Sequence, residues 1–201
     1  MNGQIWWYTA RSGGILAALL LAASVLWGLA MTTKVAGRIT RLAWLLDLHR
    51  FLAAAALVFT GIHVLAILLD TYVHFGLEEV LVPLTGTWHP VAVAWGIVGF
   101  YLLAAIEVTS LVRSHLPQRV WRSVHFASFP LFVVTAIHGL SAGTDRHSPL
   151  MVWGTVAICV MVAALTTLRV ASATSLRPQA ASPGMPQPAR SPASSRRRSL
   201  T

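Results

Sequence analysis

Long apolar runs separated by short polar segments form the dominant pattern of this chain. Five runs are close to 20 residues or longer, the length that spans the ~30 Å hydrocarbon core of a bilayer. They cover approximately residues 13–33, 42–69, 90–112, 121–142 and 149–168. With 56% hydrophobic and only 10% charged residues, the chain does not have the composition of an ordinary soluble domain. The pattern predicts an all-α, polytopic membrane bundle with five transmembrane helices.

Basic residues are unevenly distributed among the connecting segments. They cluster after the first and third runs, at Lys34, Arg38, Arg41, Arg113, Arg119 and Arg122. The loop after the second run contains Asp70, Glu78 and Glu79 but no Lys or Arg. Because cytoplasmic loops carry an excess of positive charge, we expect a multi-pass protein of a cell membrane with its N-terminus outside and its C-terminus inside. The same bias explains the net charge of +9 without a nucleic-acid partner.

Composition divides the chain into three segments. Residues 1–41 hold the first transmembrane helix and a basic loop, and residues 42–168 hold the other four helices. Residues 169–201 form a basic tail rich in Pro, Ser and Ala. From Ala171 onward this tail lacks the apolar content that would offset the entropy of ordering, so we expect it to be disordered.

Two of the predicted helices each carry a pair of histidines. His49 and His63 are 14 residues apart, and His125 and His138 are 13 residues apart. Ionisable side chains within a membrane span are costly and indicate a functional site. Imidazole is a common metal ligand and an axial ligand of haem iron. We interpret the four histidines as axial ligands of two haem b groups; the alternative is a non-haem membrane protein that uses them as hydrogen-bonding or metal-binding groups.

The spacing of the histidines suits two sites at different depths. Helices separated by a single crossing run parallel, so His49 would pair with His125 and His63 with His138. Fourteen residues of helix place the two levels about 21 Å apart. The side chains of His49 and His63 differ in direction around the helix axis by only ~40°. The second pair would be about 140° apart on an ideal helix. We expect Pro130 to distort that helix and bring both imidazoles to one face.

Arginines near the first level are candidate contacts for haem propionates. Arg50 follows His49, and Arg122 lies shortly before His125. Their alternative roles are positive-inside charge and, for Arg50, a one-turn pair with Asp47.

Three further groups of residues have candidate roles. Phe132 lies between the two levels and either fills the space between haems or belongs to the core. Glu107 is an intramembrane carboxylate that either pairs with an arginine or handles protons. The remaining histidines fall in loops, where we expect them to be solvated; they are His74, His89, His115 and His147.

The segments LHRFLAAAALVFTGIH and VHFASFPLFVVTAIH resemble the ferric reductase-like transmembrane family. Its members include ferric reductases, the NADPH oxidase membrane core and the haem-binding subunit of the periplasmic methionine sulfoxide reductase. The resemblance covers about residues 42–168. It implies that the four helix histidines are axial ligands of haem b. It also implies an oxidoreductase, or an electron-transfer subunit of one, passing electrons from a reduced flavin on the cytoplasmic side to ferric iron, dioxygen or a partner redox protein outside.

Two departures from the family pattern affect the electron donor. The family core usually has six helices, and five are predicted here. The chain also has no glycine fingerprint of a fused flavin or nicotinamide domain. Electrons would therefore come from a separate flavoprotein, from non-covalently bound FMN or FAD, or from a quinol. The main alternative is a quinol-linked cytochrome b anchor subunit, and another is a haem-binding subunit that serves an adjacent redox protein.

Overall fold

A computed structural model of the chain describes residues 2–32 and 42–175. These residues form α1 (Asn2–Thr32), α2 (Leu42–Leu69), α3 (Leu77–Leu81), α4 (Pro90–Leu111), a 3₁₀ turn (Arg113–His115), α5 (Gln118–Phe126), α6 (Ser128–Ala142) and α7 (Pro149–Ser175). The described residues contain five helical segments long and apolar enough to cross a membrane, with α5 and α6 together forming one of them. The predicted all-α bundle of five spans is confirmed.

Two helices extend beyond their predicted limits. Helix α1 begins at Asn2 rather than near residue 13, because no proline interrupts the preceding residues, which continue the helix through Trp7 and Tyr8. Helix α7 continues to Ser175, so residues 171–175, for which the composition predicts disorder, are helical. Alanines in this stretch favour helix. The rest of the tail and the predicted basic loop at Lys34, Arg38 and Arg41 lie outside the described residues.

Helix α1 holds a central position in the bundle. It packs most extensively against α2 and also contacts α6 and α7, while α4 packs against α6. The backbones of α2 and α6 stay apart along most of their length. The helices that carry the histidines are therefore separated by a space that other helices border.

An aliphatic cluster occupies the middle of the bundle. We call it the aliphatic plug; it consists of Leu21, Ala56, Leu103, Ile106 and Leu131. Ala56 is completely buried and Leu131 nearly so, with 1% exposure. Ala56 lies midway between the two histidines of α2, and Leu131 lies midway between His125 and His138. The plug therefore separates the two histidine levels.

The fourth span is interrupted at Ala127, between α5 and α6. Pro130 has no N–H to donate to the carbonyl of Phe126, and its ring crowds that carbonyl. The N–H of Ala127 instead bonds to the carbonyl of Val124 at 2.9 Å, a tighter turn than that of an α-helix. The expected distortion is present, three residues before the proline that causes it.

Candidate functional site

The four helix histidines form two facing pairs. The ring centroids of His49 and His125 are 6.1 Å apart, with the ring planes at 75°. Those of His63 and His138 are 6.3 Å apart, with the planes at 76°. Each pair joins α2 to the interrupted fourth span, one pair on each side of the aliphatic plug. The structure thus brings together the same partners that the spacing predicts.

The distance within each pair suits a single metal ion between the rings. An imidazole nitrogen lies about 1.1 Å from its ring centroid and about 2.0 Å from a metal ion that it binds. Two opposed imidazoles on one ion therefore have centroids about 6.2 Å apart. The measured 6.1 Å and 6.3 Å both agree with this value.

Three of the four imidazoles are held at Nδ1 by helix carbonyls. The bonds join His49 to Ser24 at 3.0 Å, His63 to Ala10 at 2.6 Å and His138 to Ala92 at 2.8 Å. A carbonyl oxygen only accepts, so these contacts require the proton on Nδ1 and leave the lone pair on Nε2. The hydroxyl oxygen of Ser24, 3.1 Å from Nδ1 of His49, can accept from the same N–H. A carbonyl on the far nitrogen is the usual support of a metal-ligating histidine. The acceptors lie on α1 and α4, so these two helices orient the histidines.

His125 has a different support. Its Nδ1 is buried and has no hydrogen-bond partner among the described residues, and the same is true of the indole Nε1 of Trp121. The Trp121 ring stacks on the imidazole, with centroids 5.0 Å apart and planes at 22°. The guanidinium of Arg113 lies 4.2 Å from the indole centroid on Trp121. Stacking rather than a hydrogen bond therefore orients this histidine.

A cavity of about 300 Å³ opens at the pair formed by His63 and His138. Most of its lining is apolar, and Thr60 and Gly139, whose side chains are small, lie in its wall. Trp88, from the segment between α2 and α4, also borders it. Such an apolar cavity with few polar groups is typical of a cofactor site.

The chain matches the family model described as ferric reductase like transmembrane component over residues 13–136. The chain belongs to this family. Membership indicates a redox function in a membrane. The match includes three of the four paired histidines and ends two residues before His138. No curated protein and no solved structure matches the chain significantly.

The family match also includes most of α1, whereas the sequence analysis placed the resemblance at residues 42–168. The contacts give a reason, because Ser24, the acceptor for His49, lies in the matched part of α1, and Ala10, the acceptor for His63, lies three residues before that part begins. Backbone acceptors leave no side-chain signature. A weak signal was present, since Gly14 and Gly28 of α1 repeat the 14-residue interval of the α2 histidines.

Arg50 and Arg122 of this ferric reductase-like chain lie on exposed helix surfaces. Arg50 approaches Asp47 at 3.7 Å, and both side chains are largely exposed, so the one-turn pair predicted as the alternative is present. The contact of either arginine with a haem propionate stays a prediction.

Phe132 packs in a second core cluster, with residues of α1 and α7. Its neighbours in this cluster are Ala22, Val25, Leu29 and Val162. The residue in the plug between the two histidine pairs is its neighbour Leu131. The core role of Phe132 is therefore observed, and its contact with a cofactor stays a prediction.

Other polar candidates divide into exposed and half-buried groups. All four loop histidines are exposed, as expected. Glu107 is half-buried on α4 and forms no ion pair within the described part of the chain. Sequence reasoning missed Arg11 and Asp145, which form a bidentate ion pair and line the cavity beside His63 and His138.

Proposed function

We propose that this chain is a di-haem b-type cytochrome of a cell membrane. In this proposal it carries electrons from a reduced flavin or flavoprotein on the cytoplasmic side to an acceptor outside, such as ferric iron, dioxygen or a partner redox protein. The observation that carries the proposal is that the imidazoles form two pairs, and that the centroid distance in each pair is the one expected for two ligands of a single ion. Family membership supports the electron-transfer class.

The residues present fit haem as the occupant. Each level offers two imidazoles with ring centroids 6.1 or 6.3 Å apart, and in three of the four rings Nε2 is the nitrogen with a free lone pair. The backbones of α2 and α6 stay apart, which leaves room for a flat ring between them. The cavity at His63 and His138 is mostly apolar, and the Arg11 in its wall is paired with Asp145. A small hydrated metal ion would need none of this apolar space.

The chain's own groups then have distinct roles. His49 and His125 would hold one haem, and His63 and His138 the other. A bound haem supplies one-electron chemistry of its iron. With two histidines as ligands, such an iron would have no open coordination position, which would favour electron transfer over oxygen binding. The aliphatic plug excludes water between the two levels.

The orientation in the membrane is part of the proposal. The segment between α2 and α4 carries acidic residues but no Lys or Arg, so it faces the outside. Arg113, between α4 and α5, and Arg119, in the first turn of α5, assign this end of the bundle to the cytoplasm in the proposal. The N-terminus then lies outside and the C-terminus inside. This places His63 and His138 nearer the outer face, and His49 and His125 nearer the cytoplasmic face.

An absorption spectrum of the detergent-purified protein tests the proposal. We expect a low-spin b-type spectrum on dithionite reduction and two haems per chain by pyridine haemochrome. His74→Ala, which removes an exposed loop histidine, is the control and should keep both haems. A colourless protein, expressed with ample haem, would contradict the proposal.

The electron donor is tested on the same preparation. We expect haem reduction when NAD(P)H and a flavin reductase are added together, and no reduction with NAD(P)H alone. Reduction by a quinol analogue, but not by the flavin system, would replace the proposed donor with a quinol. The protein would then be a quinol-linked cytochrome b.

A further inference from the structure

We infer that Gly14, Gly28 and Gly96 are positioning residues of the histidine pairs. Each glycine leaves a helix carbonyl accessible to a neighbouring helix, and that carbonyl orients one imidazole by accepting a hydrogen bond from it. The inference rests on the proposed function, since it assigns these glycines to the support of the haem ligands.

Each acceptor carbonyl lies four residues before a glycine of the same helix. The three acceptors are the carbonyls of Ala10, Ser24 and Ala92. The residues four positions later are Gly14, Gly28 and Gly96. In an α-helix the carbonyl of residue i accepts the N–H of residue i+4. Each acceptor therefore holds a helix bond and an imidazole bond on its two lone pairs.

The side chain at position i+4 normally lies over this carbonyl. Elsewhere in the chain the hydroxyls of Thr60, Thr109 and Ser141 donate to the carbonyls four residues earlier, at 2.8, 2.7 and 2.6 Å. Ser and Thr hydroxyls in helices commonly form this hydrogen bond to the carbonyl four residues earlier. A glycine at the same position leaves the second lone pair open to a neighbouring helix.

The imidazoles occupy the space that a side chain would need. A Cβ built on Gly14 would lie 2.9 Å from Nδ1 of His63, and one on Gly96 would lie 2.6 Å from Cε1 of His138. A Cβ on Gly28 would lie 3.3 Å from Cε1 of His49. The first two distances are shorter than carbon–carbon or carbon–nitrogen contact allows, and the third is tight. Alanine would thus displace the imidazole most strongly at Gly96 and least at Gly28.

The same arrangement occurs at both levels and on two different helices. Gly14 and Gly28 of α1 face His63 and His49 of the antiparallel α2, in both cases with a 14-residue interval. Gly96 of α4 faces His138 of α6. Among the described residues, His125 has neither a carbonyl on Nδ1 nor a glycine facing its ring, and it stacks on Trp121 instead. The glycine therefore accompanies the hydrogen bond and is absent where the bond is absent.

Single substitutions in the full-length protein test the inference. We expect Gly96→Ala and Gly14→Ala to lose the haem at His63 and His138 while keeping the other, so that haem content falls from two per chain to one. Gly28→Ala should keep both haems with an altered low-spin EPR signal and midpoint potential for the site at His49. Gly28→Ser should alter them further, because its hydroxyl also competes for the carbonyl of Ser24. Gly61→Ala is the control, since a Cβ there meets nothing within 4 Å.

The outcomes separate the inference from the proposed function. Two haems with unchanged EPR signals in Gly96→Ala and Gly14→Ala would overturn the inference. If those two variants do not fold, unchanged signals and potentials in Gly28→Ala and Gly28→Ser would overturn it. A wild-type protein without haem would contradict the proposed function. In that case the histidine ¹⁵N chemical shifts of the haem-free wild type and of Gly96→Ala would still test the inference. The variant should lose the signal of one Nδ1–H tautomer, and an unchanged spectrum would overturn the inference.

Discussion

Arg11 of α1 and Asp145 of the segment between α6 and α7 form a bidentate ion pair. The Nε of Arg11 donates to one carboxylate oxygen at 2.6 Å, and Nη2 donates to the other. The residue before Arg11 provides the carbonyl that binds His63. The ion pair therefore fixes the N-terminal half of α1 to the end of the bundle where His63 and His138 face each other.

The strength of this ion pair can be compared with that of an exposed one. The Arg11 and Asp145 side chains are 37% and 27% exposed, whereas Arg50 and Asp47 are 64% and 71% exposed. A double-mutant cycle of alanine variants should give a coupling of about 1 kcal/mol for the first pair and close to zero for the second. Thermal unfolding in detergent provides the measurement. Equal couplings would show that the bidentate geometry adds no stability.

Substitution of the paired histidines should be non-additive within a pair and additive between pairs. His63→Ala, His138→Ala and the double variant should each lose the same haem, because a six-coordinate iron needs both histidines as ligands. His49→Ala combined with His63→Ala should lose both. Haem content and the reduced spectrum of each variant provide the test, with exposed His147→Ala as the control. Loss of a different haem by His63→Ala and His138→Ala would contradict the observed pairing.

The ring planes predict an EPR signature. Within each pair the imidazole planes are at 75° and 76°. Perpendicular imidazoles interact with different iron d orbitals, which leaves those orbitals close in energy and makes the ferric signal strongly anisotropic. We expect this type of low-spin signal from both haems at liquid-helium temperature. Ordinary rhombic signals, as given by parallel imidazoles, would show that the rings rotate when haem binds.

Pro130→Ala tests the cause of the break at Ala127. Alanine restores the N–H that can bond to the carbonyl of Phe126, so α5 and α6 should approach one continuous helix. In such a helix His125 and His138 would point about 140° apart. We expect loss of the haem at His125, because α6 packs more extensively than the shorter α5 against the other helices, so that α5 is the part that would rotate.

The control for this variant is Pro149→Ala. Pro149 is the first residue of α7, where a proline fits the helix start and interrupts no bond. Both haems should remain in this protein. Two haems in Pro130→Ala would show that the break at Ala127 does not depend on the proline.

Trp121 should affect one haem only. Its ring stacks on His125, whose Nδ1 has no hydrogen-bond partner in the described part of the chain, so Trp121→Leu removes the contact that orients this imidazole. We expect a changed EPR signal and midpoint potential for the haem at His125, with the other haem unaffected. Trp153→Leu is the control, because Trp153 is 70% exposed on α7. An equal effect on both haems would contradict a local role.

The sequence predicts the fold and the pairing of histidines because both depend on simple repeats. Apolar length defines the five spans, and helical rise and rotation define which histidines share a level. These are properties of single helices. The pairing of His49 with His125 then follows from the parallel direction of two spans, without knowledge of any packing detail.

The parts that the sequence does not predict depend on packing between helices. The carbonyls of Ala10 and Ser24 are present in every helix, so only the neighbouring helix shows that they are acceptors. Leu131, and not Phe132, lies in the aliphatic plug because of the rotation of α6 about its own axis. That rotation depends on the break at Ala127. The ion pair of Arg11 with Asp145 spans most of the chain, and neither residue belongs to a recognisable motif.

The aliphatic plug has a consequence for energy conversion. Its five side chains are aliphatic and can neither donate nor accept a proton. An electron that passes from the cytoplasmic level to the outer level, as proposed, would therefore cross this layer without a proton beside it. Moving one full charge across a membrane is worth ~2.3 kcal/mol per 100 mV. Turnover in a sealed vesicle would accordingly generate a voltage, and its rate would rise when an ionophore dissipates that voltage.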